Sequence, residues 1–483
     1  MADAAPPDAS GRLPVWTKLA YGFGSVAYGV KDHGFSYFLL IFYSQVMGVD
    51  ARLVGLAITI ALILDAISDP IVGYWSDNLR SRWGRRHPFM YASAVPVAAT
   101  YYLLWAPPVG WSQEALFWYL LTLAVLIRTF ITFYETPSAA MTPELSDDYD
   151  QRSSLISYRF YFGWTGGNAM SVLMFMAVFP AFVTATISNG QFNREAYALY
   201  GVIAAALIFL GIVVSAVGTH SRIPHLKPPP AKRKLTLLTI FREIFETLAN
   251  RSFVALFTAS LFGSIAAGLS AALAFYFGIY FWGFTSIQIG VITIGVFGSA
   301  VIGALMAPLA TRTLGKKRAA MIIGLIAFIG SPFPIVLKLA GVLPTDPSFV
   351  FWFVFVAGLI DVGLIICFQI LMASMMADLV EQSELKTGRR SEGIFVAAVT
   401  FIRKMVTGLG VMAASVILTL AQIAPGADPS SVSAQSAYDL GFYYVPTILA
   451  LWFAMMGAIA AYSLDRAGHE DNLRRLRERR AAE

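Results

Sequence analysis

Asp65-Ala-Ile-Ser-Asp69-Pro70, followed by Gly73-Tyr-Trp-Ser-Asp77 and the basic turn Arg80-Ser-Arg82-Trp-Gly84-Arg85-Arg86, decides how the rest of the chain reads. Leu53 to Tyr74 is an almost unbroken apolar run, yet two carboxylates sit inside it four residues apart. That spacing places Asp65 and Asp69 on one helix face. Near the middle of a bilayer-spanning helix a carboxylate costs about 2.5–3.5 kcal/mol on the insertion scale, and such residues face a wet interior. A pair of them asks for a cation, either a bound ion or an Arg from elsewhere in the chain.

The 483 residues are 57% hydrophobic and 13% charged, with a mean hydropathy of +0.65. Soluble domains carry about a quarter charged residues, so the composition predicts a polytopic membrane protein. The lone Cys367 excludes an intrachain disulfide or thiolate cluster, and His33, His87, His220, His225 and His469 are too scattered for a local metal site. Met1 to Leu13 lacks the basic flank and apolar core of a signal peptide, so the first span is expected to act as the targeting signal. No Gly-rich phosphate loop, Gly-x-Ser-x-Gly elbow or His-Glu-x-x-His occurs. Neither an enzyme nor an organic cofactor is expected.

Apolar stretches of about 20 residues fall near 16–46, 52–74, 88–107, 113–139, 155–183 and 197–218, then near 252–281, 287–311, 319–340, 348–377, 391–422 and 437–464. The expected fold is all-α, with twelve transmembrane helices in two halves of six. The N-terminal half covers 1–218, a cytoplasmic linker 219–251, the C-terminal half 252–464 and a basic tail 465–483. Within the linker, Leu235 to Leu248 reads as an amphipathic surface helix. Lys and Arg crowd the loops after even-numbered spans, at Arg80 to Arg86, Arg152, Lys227 to Lys234, Arg312 to Arg318 and Lys386 to Arg390. By the positive-inside rule both termini are cytoplasmic. The same bias accounts for the net charge of +6, so no nucleic-acid partner is implied. Gly73 through Gly84-Arg85-Arg86 recurs as Gly303 through Gly315-Lys316-Lys317 at the equivalent place in the second half. This resembles the major facilitator superfamily, whose halves are parallel repeats rocking around a midplane site.

Further charges interrupt the spans: Lys31 and Asp32, Arg128 and Glu135, Asp361 with the polar Gln369, and Arg403 with Lys404. Buried unpaired, these would be costly. Lys31 and Asp32 are adjacent and so are expected to point different ways. Arg128 either neutralises an acid of span 1 or 2 or binds an anionic substrate. Glu135 precedes Thr136-Pro137, where the proline frees a backbone carbonyl, which favours a binding role. One of Arg403 and Lys404 faces the cavity while the other snorkels or pairs locally.

At these residues the chain resembles the glycoside-pentoside-hexuronide:cation symporter family. The resemblance runs through Lys18-Leu-Ala-Tyr21-Gly-Phe-Gly24, Asp65-Ala-Ile-Ser-Asp69-Pro70, the turn at Arg80 to Gly84, Glu135-Thr-Pro137, Pro143-Glu144-Leu145 and Ala377-Asp378-Leu-Val380-Glu381. It implies cation-coupled symport of a sugar, glycoside or uronate in the bacterial inner membrane, by a protein working as a monomer. The coupling ion, Na+ or H+, would sit at Asp65 and Asp69, with Ser68 and Thr132 as further oxygen ligands. Glu135, Arg159 and Lys404 would meet the substrate, Lys404 linking the two sites with Thr400 on its face; Asp32, Arg128 and Gln369, which the family does not carry at these places, are expected to bind the substrate beside them. Asp77, Arg82, Gly84, Arg85 and Arg86 would form the conformational loop. The sequence departs from the family at Gly29, where a sugar-transporting member carries a binding Asp, at Ser68, where it has an Asn ligand, and at Ala139 and Gln369, where it has tryptophans. A lysolipid or other amphipathic anion is the alternative cargo, and a non-transporting membrane sensor the alternative class.

Overall fold

The computed structural model describes residues 13–146, 148–226, 251–387 and 392–462, without the side chains of 149–150, 225, 251–253 and 377–402. The expected surface helix at 235–248 and the basic tail lie outside the described residues. Among those described there is no strand. The helical runs are α1 (15–46), α2 (Ala51–Asn78), α3 (His87–Trp105), α4 (Gln113–Ala140), α5 (149–181) and α6 (Arg194–His220). The second set is α7 (251–281), α8 (Ser286–Leu314), α9 (316–339), α10 (Pro347–Thr387), α11 (Glu392–Leu420) and α12 (Ala434–Ala460). Ten of these are long and apolar enough to cross a membrane. The two that fall short of that measure are α1, which carries Lys18, Lys31, Asp32 and His33, and the shorter α3.

Polar caps fix where the helices begin. Asp50, Ser112, Asn193 and Ser433 accept backbone N–H groups at the starts of α2, α4, α6 and α12, and Thr285 with Gln288 forms a capping box on α8. Hydrogen bonds from Arg52 hold the Asp50 carboxyl below its ordinary range.

The repeat is deeper than the basic turns revealed. Gly84 and Gly315, which end the matched motifs, both have positive φ, 69° and 74°. A second correspondence closes α1 and α7. Phe42–Val46 and Phe277–Phe281 are π-helical turns, followed by Gly48 and Gly283 at φ of 74° and 71°. Val49 then donates to Tyr43 O at 2.9 Å and Phe284 to Gly278 O at 2.8 Å, so the same closure ends both helices. Glycine is required at these positions because a Cβ is disfavoured at positive φ.

Within the first half, α1 lies directly on α5. A Cβ on Gly29 would fall 1.9 Å from the carbonyl oxygen of Gly163, so the position that carries an Asp elsewhere has no room here for any side chain. Gly29→Ala is expected to lose the monodisperse peak in size-exclusion chromatography, whereas Gly358→Ala on α10, with open space around it, keeps it.

The two halves meet along α2 and α11 and at the end bearing loops 47–50 and 282–285. There Tyr280 donates to Gln45 Oε1 at 3.1 Å, Gly426 N to Ser44 O at 2.9 Å, and Gln191 Nε2 to Ser286 Oγ at 3.0 Å. Phe275 packs on Phe38 and Phe175 just beneath. Nearer mid-height, Thr59 on α2 donates to Gly408 O on α11 at 2.8 Å, an approach that Gly408 permits because a Cβ there would press on Thr59 at 3.0 Å.

Candidate functional site

Both aspartates of α2 point at the same partners. Pro70, directly after Asp69, denies the Ala66 carbonyl its helical donor inside α2, and Asp65 and Asp69 face α4 and α11. Arg128 Nη1 of α4 lies 3.1 Å from Asp65 Oδ2, and Lys404 Nζ of α11 lies 3.1 Å from that same oxygen and 2.6 Å from Asp69 Oδ2. Thr132, one turn beyond Arg128, lies 3.2 Å from Asp65 Oδ1, 3.0 Å from Asp69 Oδ1 and 2.9 Å from Arg128 O. A hydroxyl has one proton to donate, so Thr132 divides it among three acceptors. The Asp65 side chain is 1% exposed and that of Asp69 25%. Asp65 is the sealed member of the pair and Asp69 the accessible one.

Beside this cluster opens a cavity of about 430 Å³ between the halves. Lys31, Asp32, Phe35, Ser36 and Tyr37 line it from α1, Ile58 and Leu62 from α2, and Arg128 and Glu135 from α4. Ala267, Gly268 and Ala271 of α7 and Arg403, Lys404, Thr407 and Val411 of α11 complete the wall. The wall therefore mixes donors, acceptors and apolar surface. Just past Asp32, α1 relaxes into a π-turn at Gly34–Phe38, a distortion often found at functional sites. It brings Phe35 under the Arg128 guanidinium, 4.6 Å from the ring centroid.

Several sequence expectations are met by different geometry. Lys31 and Asp32 do not point apart: Lys31 Nζ reaches back to Asp32 Oδ1 at 2.8 Å and stands 3.9 Å from Glu135 Oε2. The lysine is nearly buried while Asp32 is half exposed to the cavity. Arg128 takes the first of its two open roles and neutralises Asp65. Arg403 and Lys404 both line the cavity, Lys404 alone pairing with the aspartates.

Ser68 is not brought to the carboxylates. Its hydroxyl donates to the Asp65 carbonyl at 2.9 Å, the local bond a helical serine makes to the preceding turn. Arg159 lies off the cavity wall, donating to Tyr21 OH at 3.0 Å and Ser138 Oγ at 3.2 Å beneath the rings of Tyr21 and Tyr28. Gln369 is exposed on α10 and also off the wall. The side chain of Thr400 lies outside the described residues. Lys31, Phe35 and Arg403 join the wall without having been assigned to it. Their charge or ring inside a span was the only signal.

The conformational loop forms a second charged centre. Glu144 Oε1 accepts from Arg85 Nη2 at 2.6 Å and from Arg86 Nη2 at 2.9 Å, while Arg86 also meets Asp77 at 2.6 Å and Ser76 Oγ at 2.7 Å. Arg82 stays out of this network and sits over Trp83. Glu144 was visible in sequence only as part of the Pro143-Glu144-Leu145 match, with no role attached.

A family model for MFS/sugar transport proteins matches residues 20–466. The chain is 27% identical to an uncharacterized symporter of Synechocystis over 97% of each chain. It is 22% identical to the isoprimeverose transporter of Lactiplantibacillus pentosus over 90% of this chain and 86% of that one. In structure it shares the fold of the nucleoside transporter NupG, with a TM-score of 0.61 at 14% identity over 92% of this chain and 99% of that one. The apolar helices, the two repeated halves and the charged cavity between them thus have one common setting: the chain belongs to the MFS/sugar transport protein family, and is a multi-pass membrane transporter rather than an enzyme.

Proposed function

We propose that the protein is a cation-coupled symporter that carries a sugar, glycoside or uronate across the bacterial inner membrane by alternating access, as a monomer with both termini cytoplasmic. The observation that carries this reading is the bridge of Lys404, on one half, to Asp65 and Asp69 on the other, at the edge of the cavity. While Lys404 holds Asp69, the aspartates need no ion. When Na+ or H+ takes Asp69, the ammonium is released toward the cavity, where a solute oxygen satisfies it. Ion and solute are then bound together or not at all, the condition for coupling.

The lining suits a hydroxylated solute. Asp32 and Glu135 accept from hydroxyls, Arg403 donates, and Ala267 and Ala271 offer apolar surface. A volume of about 430 Å³ is within the range of small-molecule pockets. The name of the isoprimeverose transporter supports a glycoside. Contact between the halves at the end opposite the basic loops fits a carrier open to the cytoplasm.

Thermal-shift screening of the purified protein against mono- and disaccharides, uronates and a lysolipid selects the solute, and labelled uptake into vesicles tests the coupling. Wild type accumulates it above the external concentration, while Asp69→Cys reaches only equilibrium. Equal accumulation by the variant overturns the coupling role. A lysolipid as the sole stabiliser selects the amphipathic cargo.

A further inference from the structure

The two cations on Asp65 belong to different bodies. Lys404 comes from α11, in the opposite half. Arg128 comes from α4, which packs on α2 within the same half, and its side chain is 7% exposed with Phe35 stacked against it. When the halves separate, Lys404 leaves and Arg128 stays. The guanidinium and the ammonium are each 3.1 Å from the same oxygen, Asp65 Oδ2. A metal ion bridging Asp65 to Asp69 would have to approach carboxylates already met by these groups, and like charges repel strongly in a dry site. Two carboxylates against Arg128 and Lys404 leave the cluster formally neutral with no ion added.

We propose that Arg128 is a built-in cation occupying the metal position of the two-aspartate site, and that it is the residue that keeps Na+ from binding there. This rests on the reading of Asp65 and Asp69 as the coupling site. It narrows that reading: Asp65 is permanently compensated within its own half, and Asp69 alone exchanges partners. Thr132 remains as a neutral oxygen between them. With Arg128 gone, Asp65, Asp69 and Thr132 present a net-negative set of oxygens of the kind that holds a hard cation.

The test uses the purified full-length protein without any solute. NaCl is titrated against choline chloride at constant ionic strength while Tm is followed, and bound labelled Na+ is counted in parallel. Wild type and Arg128→Lys, which keeps the charge, show no Na+-specific change. Arg128→Met and Arg128→Gln gain a saturating rise in Tm, as expected of a ligand that binds the folded state alone, together with bound Na+. The double variant Arg128→Met with Asp65→Asn loses both again. A Na+-specific rise in wild type equal to that of Arg128→Met overturns the proposal, as does silence of both Arg128→Met and Arg128→Gln. Because no transport is measured, failure of the symport reading in vesicles is a separate outcome.

Discussion

Asp65→Leu is expected to abolish accumulation in vesicles and to lower the unfolding free energy in detergent by about 3–5 kcal/mol, the usual cost of leaving one member of a buried ion pair behind. The stranded group is Arg128. It has Asp65 as its carboxylate at 3.1 Å, sits at 7% exposure, and its Nε is already buried without a hydrogen-bond partner among the described residues. Lys404 suffers less, because Asp69 remains at 2.6 Å. The control follows from the same asymmetry. Removing both charges of a buried pair is often nearly neutral, so Asp65→Leu combined with Arg128→Met should regain most of the lost stability and none of the accumulation. Denaturant titration read against uptake separates these effects. A single variant as stable as wild type would show that the pair contributes nothing to the fold.

Glu144→Gln comes second in expected size. A single oxygen, Oε1, receives donors from both Arg85 and Arg86, and all three side chains are at most 10% exposed. Neutralising it leaves Arg85 without its carboxylate and Arg86 with Asp77 alone, again at a cost of about 3–5 kcal/mol. Glu144 lies just beyond α4, whereas its partners lie between α2 and α3, so the pairing fixes how these segments stay together. Asp77→Asn is the informative comparison. Asp77 is 46% exposed, and pairs exposed to that degree contribute about 0–1 kcal/mol. Urea or thermal unfolding should therefore rank Glu144→Gln far below Asp77→Asn, with uptake lost in the first and largely kept in the second. The reverse order would move the centre of the loop network from Glu144 to Asp77.

The fold was legible because lipid imposes a simple rule: twenty apolar residues, then a break. The anomaly at Asp65 and Asp69 was legible for the same reason, since their spacing alone puts them on one face. What spacing does not supply is the direction of that face relative to neighbouring helices. Arg128 was therefore left between two roles that only the packing of α4 on α2 decides. Lys31 and Asp32 show a second limit. Adjacent helical residues diverge at Cβ, but a lysine has four further carbons with which to return. Ser68 shows a third: a short hydroxyl in a helix prefers its own backbone, so sharing a face with two acids did not make it their ligand. Arg159 was placed by resemblance and Gln369 by its polarity inside a span, and neither signal says which way a side chain turns. In α1 the π-turns at Gly34 and Phe42 also add to the turn length, so side chains beyond Gly34 leave the faces that an unbroken α-helix would give them.

The Lys404 bridge has a consequence in a different quantity. The ammonium rides on one half and its counter-charges on the other, so whatever part of a swing of the halves lies along the bilayer normal displaces charge across the membrane. A membrane potential acts on that displacement, by about 2.3 kcal/mol for a whole elementary charge carried through 100 mV, and by the corresponding fraction for a shorter path. Even with nothing bound, voltage thus biases which face the empty carrier presents. An energised cell and a de-energised one are then expected to hold the same protein at different resting orientations.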